Sequence, residues 1–294
     1  MEKSVKLSYI YALLSVFMWG TMATMSKLLQ NNMDTMIVLV YTCLFSTLIL
    51  LIYNIFKHKI RTLLQLPISV IIKMILIGSL GVFFYCLFFY MGCRRLPAQQ
   101  AMVVNDLWPA LIIVFSAVIL HETMTAAKVC AVLLSFIGII IVVTNGDISG
   151  FKNISMAGVA FCLIDAFCYA LYSVLGKREA YDKDIAVMVA YASATVIAFI
   201  CSAFMGTFCI PAGSDLAGLI FNGLICNAFP ALLWALALDM GNTAVIANLA
   251  YLVPFISLLV THFVLGEQIT VWSVLGLVLI VSGILIQFKG VKAR

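Results

Sequence analysis

The chain has 294 residues, of which 65% are hydrophobic and only 10% charged, with a net charge of +5. Average soluble domains carry roughly 25% charged residues, so a soluble globular fold is excluded, and collagen-like, disordered and disulfide-scaffold classes fail on the same composition. What remains is an all-α integral membrane protein, in which surplus cations set membrane orientation rather than recognise nucleic acid.

A spanning helix needs about 20 apolar residues. Ten apolar runs are marked in chain order: 7–29, 34–56, 68–90, 97–119, 126–145, 155–177, 184–206, 215–239, 243–264 and 270–289. Short polar clusters separate them, among them Lys57-His58-Lys59, Asn145-Gly146-Asp147 and Gly266-Glu267-Gln268. The first run carries no signal-peptide cleavage pattern and reads as helix 1. Ten spans leave no room for an extramembrane catalytic domain.

Placing both termini in the cytoplasm puts thirteen of the 17 Lys and Arg residues inside. Lys27, Arg94, Arg95 and Lys152 fall outside. This excess of inner cations predicts a multi-pass protein of the cytoplasmic (plasma) membrane with cytoplasmic N- and C-termini.

The two halves resemble each other. Residues 107–141 overlay 252–286 at a shift of 145, with ten identities that include Pro109/Pro254, Glu122/Glu267 and Gly138/Gly283. A shift of 150 overlays Trp19 on Tyr169 and Lys27 on Lys177. The expected halves are 1–148 and 149–294. Each holds five spans, an odd number, so the second enters the membrane from the opposite side. Inverted 5+5 repeats of this kind recur in secondary transporters, with the substrate between the halves near the midplane. The expected partners are the lipid bilayer and a small-molecule metabolite, for a monomer or homodimer that binds no nucleic acid.

Some residues are out of place in a bilayer. Asp165 sits near the centre of the sixth span, where an ionised carboxylate costs about 2.5–3.5 kcal/mol on the insertion scale. It must face a wet cavity, pair with a cation or carry a proton. Asp106 lies beside Asn105 and about one turn before Pro109, which frees a backbone carbonyl near Asn105. Irregular backbone at membrane depth is tolerated only where protein or cavity water satisfies it. The stretch from Val104 to Pro109 and its counterpart ending at Pro254 therefore read as cavity walls with helix breaks. Asp106 and Asp165 are candidates for proton coupling or for binding a cationic group.

Trp19, Tyr85, Trp108, Tyr169 and Tyr251 sit at apparent midplane positions or beside the prolines, where rings can stack on an apolar or cationic substrate. Each ring alone also suits plain packing. Asn227 and Asn248 are mid-helix amides suited to substrate contact or interhelical bonding. Glu122 and Glu267 recur at helix ends as a cap or an interface pair.

No cofactor or metal is expected. The nine cysteines contain no C-x-x-C pair, and His58, His121 and His262 lack ligand spacing. Cys93 and Cys209 are both placed outside, where a disulfide between them is one alternative. No P-loop, H-E-x-x-H or G-x-S-x-G is present, so the chain is not read as an enzyme. An embedded enzyme or a scaffold is the rival class, and organic cations such as quaternary amines are the rival cargo.

The duplicated five-helix pattern resembles the drug/metabolite transporter superfamily, and its EamA-type members in particular, over nearly the whole chain. Val104-Asn105-Asp106-Leu107-Trp108-Pro109 resembles the Asn-Tyr-Leu-Trp-Pro stretch of the bacterial aromatic amino acid exporter branch. Trp108 matches, and Asp106 replaces the tyrosine. In that branch the Tyr and Trp of the stretch line a central cavity. Tyr169 falls at a cavity tryptophan of helix 6, and Tyr85 near a helix 3 cavity tyrosine. The resemblance implies ten helices and a cavity bounded by helices 1, 3, 4, 6, 8 and 9. Helices 5 and 10 would be peripheral, and the activity would be export of amino acids or related metabolites.

Overall fold

A computed structural model describes residues 2–147, 154–240 and 249–291. The described residues form helices and connections, with no strand among them. Eight helices are long and apolar enough to cross a membrane: α1 (Lys6–Gln30), α2 (Thr35–Phe56), α3 (Ile68–Cys93), α4 (Ala98–Ile119), α5 (Ala126–Thr144), α6 (Met156–Arg178), α7 (Lys183–Phe204) and α8 (Gly213–Ala237). Two more apolar helices follow, α9 (Val253–Leu265) and α10 (Val271–Val291), and the apolar stretches counted in them are shorter. The chain is thus a multi-pass membrane protein. The expected ninth span begins at 243, and residues 241–248 lie outside the described residues; helix is described again from a 3-10 turn at Ala250–Leu252.

Local chemistry sets the helix ends. Asp34 caps α2 by accepting from the Met36 amide at 2.8 Å. Ser155 caps α6 through the Gly158 amide, and Asp182 caps α7 through the Asp184 and Ile185 amides. Such caps satisfy amides that lack an intrahelical partner. Inside the spans, Ser46 and Ser135 donate to carbonyls four residues back, so their hydroxyls are satisfied without water. Large apolar side chains such as Phe204 and Phe263 are 89% and 80% exposed, a surface that only a lipid solvent tolerates.

Several spans are irregular. Both α3 and α8 pass through π-helical turns, at Leu80–Phe84 and Asn222–Ala228. The α4 helix breaks after Asn105 and restarts at Trp108, with Pro109 in its first turn. Pro254 takes the same place in α9.

Close contacts recur at a spacing of 145 residues. A Cβ placed on Gly78 of α3 would lie 2.5 Å from Ala190 Cβ of α7, and one on Gly223 of α8 would lie 2.8 Å from Phe45 Cβ of α2. Adding 145 to Gly78 gives Gly223, and adding 145 to Phe45 gives Ala190. The α5–α10 pair repeats the pattern: Gly138 meets the Gly276 carbonyl and Gly283 meets the Ala131 carbonyl, at 2.6 and 2.9 Å from a built Cβ. Each contact maps onto its partner when the two halves exchange places.

Polar clasps close both ends of the bundle. At one end Lys59 bonds Asp182 and Asp184 at 2.8 and 2.6 Å, Lys73 approaches Glu179, and Glu122 accepts from Lys177 and Lys128. Lys177 and Lys128 hold the Glu122 carboxyl below its ordinary value. Burial opposes the Lys59 charge, but hydrogen bonds to Asp182 and Asp184 outweigh it and raise its ammonium. Partial burial likewise opposes ionisation of Asp182, and its bonds to Lys59 and to α7 amides still lower it. At the other end Glu267 accepts from the Ala98 and Gln99 amides at 2.6 and 2.9 Å, and Asn32 donates to Asp215.

Two predictions follow from this packing. Gly138→Leu forces α5 off α10 and should destabilise the protein by about 1–3 kcal/mol, read as a lower melting temperature in detergent, whereas Leu at the open Gly176 should not. The Lys59–Asp182 clasp pairs a lowered carboxyl with a raised ammonium. Its contribution should be full between the usual carboxylate and ammonium ranges, fading as pH falls through the folded Asp182 value or rises through the folded Lys59 value. Melting across pH should show that plateau lowered in Lys59→Met, with the loss of stability at its two edges weakened.

Candidate functional site

The irregular stretches of five helices converge on one cavity of about 320 Å³. Trp19 and Met22 flank the turn at Thr21 that interrupts α1. Gly81 lies in the π-turn of α3, and Tyr85 follows it directly. Asn105, Asp106 and Trp108 come from the α4 break. Cys226 and Asn227 come from the π-turn of α8, with Trp234 two turns further along. Ala250 and Val253 come from the 3-10 entry to α9. The regular helices α6 and α7 contribute Tyr169 and Tyr191.

Rings line two sides. Trp19 and Trp234 pack at 5.3 Å between centroids. Tyr169 packs against Tyr85 at 5.0 Å and edge-on to Trp108 at 5.2 Å. Both spacings suit favourable aromatic pairing, so the rings hold one another upright at the cavity edge.

Two polar networks support these walls. Asn105 Nδ2 donates to Asp165 Oδ1 at 2.9 Å, joining the α4 break to α6. Asp165 is 0% exposed, and its Oδ2 has no partner among the described residues. On the opposite wall Tyr191 donates to Asn227 Oδ1 at 3.3 Å, and Asn227 donates to the Asn222 carbonyl at 2.8 Å. Asn222 in turn donates to Thr42 and to the Tyr90 hydroxyl. Asp106 lines the cavity with its Oδ2 unpartnered among the described residues.

Of the residues singled out in the sequence, Trp19, Tyr85, Asp106, Trp108, Tyr169 and Asn227 share this cavity. Asp165 does not line it; it stands one layer behind, screened by Asn105, so its expected exposure to the cavity is corrected to an indirect contact. Pro109 and Pro254 sit in the first turns of the helices starting at Trp108 and Val253 and do not line the space. The Tyr251 side chain and Asn248 lie outside the described residues. Cys93 is buried, Cys209 exposed, and both are free thiols.

Trp234, Tyr191 and Asn105 were missed as wall residues, and Tyr191 adds helix 7 to the expected boundary. Asn105 had a signal, since an amide beside Asp106 at a helix break is the natural partner of a buried carboxylate. Tyr191 and Trp234 had none, because they belong to apolar helices without a local break at that point.

The model of the EamA-like transporter family matches residues 6–144 and 156–288. A protein of Clostridium kluyveri named as an uncharacterized transporter is 24% identical, over 98% of this chain and 95% of its own. A transporter of Bacillus subtilis, also named as uncharacterized, is 25% identical over 73% of this chain and 72% of its own. An aromatic amino acid exporter of Ancylobacter novellus is 24% identical over 62% of this chain and 64% of its own. A solved crystal structure superposes with a TM-score of 0.70 over 96% of both chains at 19% identity, a likeness of fold.

The Asn105–Asp165 bond should be measurable as a coupling. Asn105→Ala strands a buried carboxylate oxygen and should cost about 1–3 kcal/mol. With Asp165→Ala also present the loss should fall short of the sum of the two single changes. Melting of the four proteins of this cycle supplies the test, and additive losses would show that the bond contributes nothing.

Proposed function

The chain belongs to the EamA-like transporter family, and we propose that it is a secondary transporter exporting small organic metabolites, amino acids first among them, across the cytoplasmic membrane. Ten spans in two inverted halves, 1–148 and 149–294, rock about the cavity and expose it to each side in turn. The observation that carries this reading is the convergence of broken helices from both halves on one ring-lined, acidic space. The contacts that interchange at a spacing of 145 residues support the second element, since related halves make the two end states close in energy.

In this reading the end clasped by Lys59, Glu122 and Lys177 is cytoplasmic, as the distribution of basic residues favours. Opening there separates Lys59 from Asp182 and Asp184, and Glu122 from Lys177. Opening at the other end releases the helix α4 amides from Glu267. The clasps are exposed or half-exposed ion pairs and carboxylate–amide bonds, worth little enough individually to break during a cycle.

Trp108, Tyr169, Tyr85 and Trp19 form the walls against which the substrate body packs, and Asn227 belongs to the same set. Asp106 meets the substrate amino group. Asp165 carries the coupling proton, and Asn105 stands between them. A carboxylate with one neutral partner and no adjacent cation among its hydrogen bonds is stable at this depth when protonated. A proton taken there on one side and released on the other links the pH gradient to movement.

Flux in proteoliposomes tests the assignment. Trp108→Ala should lower uptake of labelled amino acids or amines by about tenfold or more, the loss typical of a buried aromatic anchor. Asp165→Asn should leave flux that no longer answers to an imposed pH gradient. Unchanged flux and unchanged gradient response in both variants would remove these residues from the mechanism.

A further inference from the structure

We infer that the cavity selects organic monocations, the amines that amino acids become when they lose their carboxylate, with Asp106 as the specificity-determining residue. This inference rests on the transport reading above and reorders its cargo, placing amines ahead of amino acids among the small organic metabolites.

Asp106 is the one acidic group among the described lining residues, and no Lys, Arg or His lines the space among them. Residues 241–248 contain none of the three in sequence either. The Asp106 Oδ2 atom has no hydrogen-bond partner among the described residues. That oxygen is closed off from the space, so no donor among the described residues offsets the carboxylate there, and a ligand ammonium meeting the part of Asp106 that lines the cavity supplies a charged one.

The walls fit the rest of such a ligand. Two ring clusters line the space, Trp19 with Trp234 and Tyr169 with Tyr85 and Trp108, at centroid spacings of 5.0 to 5.3 Å within each. Ring faces attract cations and pack against a flat apolar body. The space of about 320 Å³ suits a ligand with a single ring.

A zwitterion fares worse for a specific reason. Its carboxylate would enter beside Asp106, with Asp165 one layer behind, and would meet no cation among the described lining residues. The amides that could receive it, Asn105 and Asn227, each already give one of two N–H groups away from the cavity, to Asp165 and to the Asn222 carbonyl, which leaves neutral donors and no charged one. Placing a second carboxylate in such a site is repulsive, and the low local dielectric strengthens the repulsion.

Phenethylamine and L-phenylalanine share a ring and an ammonium and differ by the carboxylate. Three of the chain's four tryptophans, Trp19, Trp108 and Trp234, line the cavity, so quenching of intrinsic fluorescence in the purified full chain reports its occupancy. Phenethylamine should bind at least about tenfold more tightly than L-phenylalanine, with phenyltrimethylammonium ranking with the amine. Asp106→Asn should reduce that gap to about twofold or less. The comparison in the unaltered protein stands alone if the variant does not fold.

Equal or tighter binding of L-phenylalanine, or no binding by any of the three, overturns the inference, and so does a gap that persists in folded Asp106→Asn. Proteoliposome flux of the same compounds separates the two levels. L-phenylalanine carried as well as the amine sinks the selectivity and leaves transport standing. Amine-selective quenching with no flux sinks transport and leaves the selectivity standing.

Discussion

A bilayer core offers no water to a peptide group that has lost its partner, and this constraint orders the molecule. Backbone irregularity therefore collects where protein and a wet space can satisfy it. Five of the helices break or widen, at Thr21, Leu80–Phe84, Asp106–Leu107, Asn222–Ala228 and Ala250–Leu252. All five places border the same cavity. The regular helices α5 and α10 pack closely with each other and contribute nothing to the cavity wall among the described residues. The interrupted helices thus all reach the cavity, with the regular helices α6 and α7 completing its wall through Tyr169 and Tyr191.

The Asn105–Asp165 bond shows how such a break is held. Pro109 prevents α4 from continuing its ladder, and the chain turns at Asp106 with the Asp106 amide still bonded to the Met102 carbonyl. Asn105, the last residue before the turn, reaches across to α6. One side-chain bond therefore fixes the break against its neighbour and aims Asp106 at the cavity. Asp165 sits on the protein-facing side of α6, 0% exposed, whereas a carboxylate on a lipid-facing position of that helix would have no donor at all.

Much of this was legible in the sequence. Hydropathy marked the spans to within a few residues at most ends, because twenty apolar residues in a row have few other uses. Pro109 and Pro254 announced their breaks through a missing amide. Asp106 and Asp165 stood out through the cost of charge in lipid. The π-turns did not show, since a one-residue insertion into a helix carries no residue signature and Gly81 and Gly223 look like ordinary packing glycines. The position of Asp165 behind the wall was also hidden, because hydropathy gives depth in the membrane and not direction around a helix. Tyr191 needed the tertiary packing of α7 before it could be placed.

The correspondence at 145 residues is most informative where its two members do different work. Glu122 and Glu267 are 145 residues apart and each closes a helix end, yet Glu122 is held by Lys128 and Lys177 while Glu267 takes two backbone amides of α4. Lys128 has Ser273 at the related position, and that serine bonds Thr270 in its own connection. Lacking that cation, Glu267 is free to reach the amides at the start of α4, the positive end of a helix whose break builds the cavity. The two carboxylates at this spacing close opposite ends of the bundle, and the different residues beside them go with different partners. One lock pairs a carboxylate with two ammonium groups and the other pairs it with two amides at a helix start, so the two ends open against different chemistry.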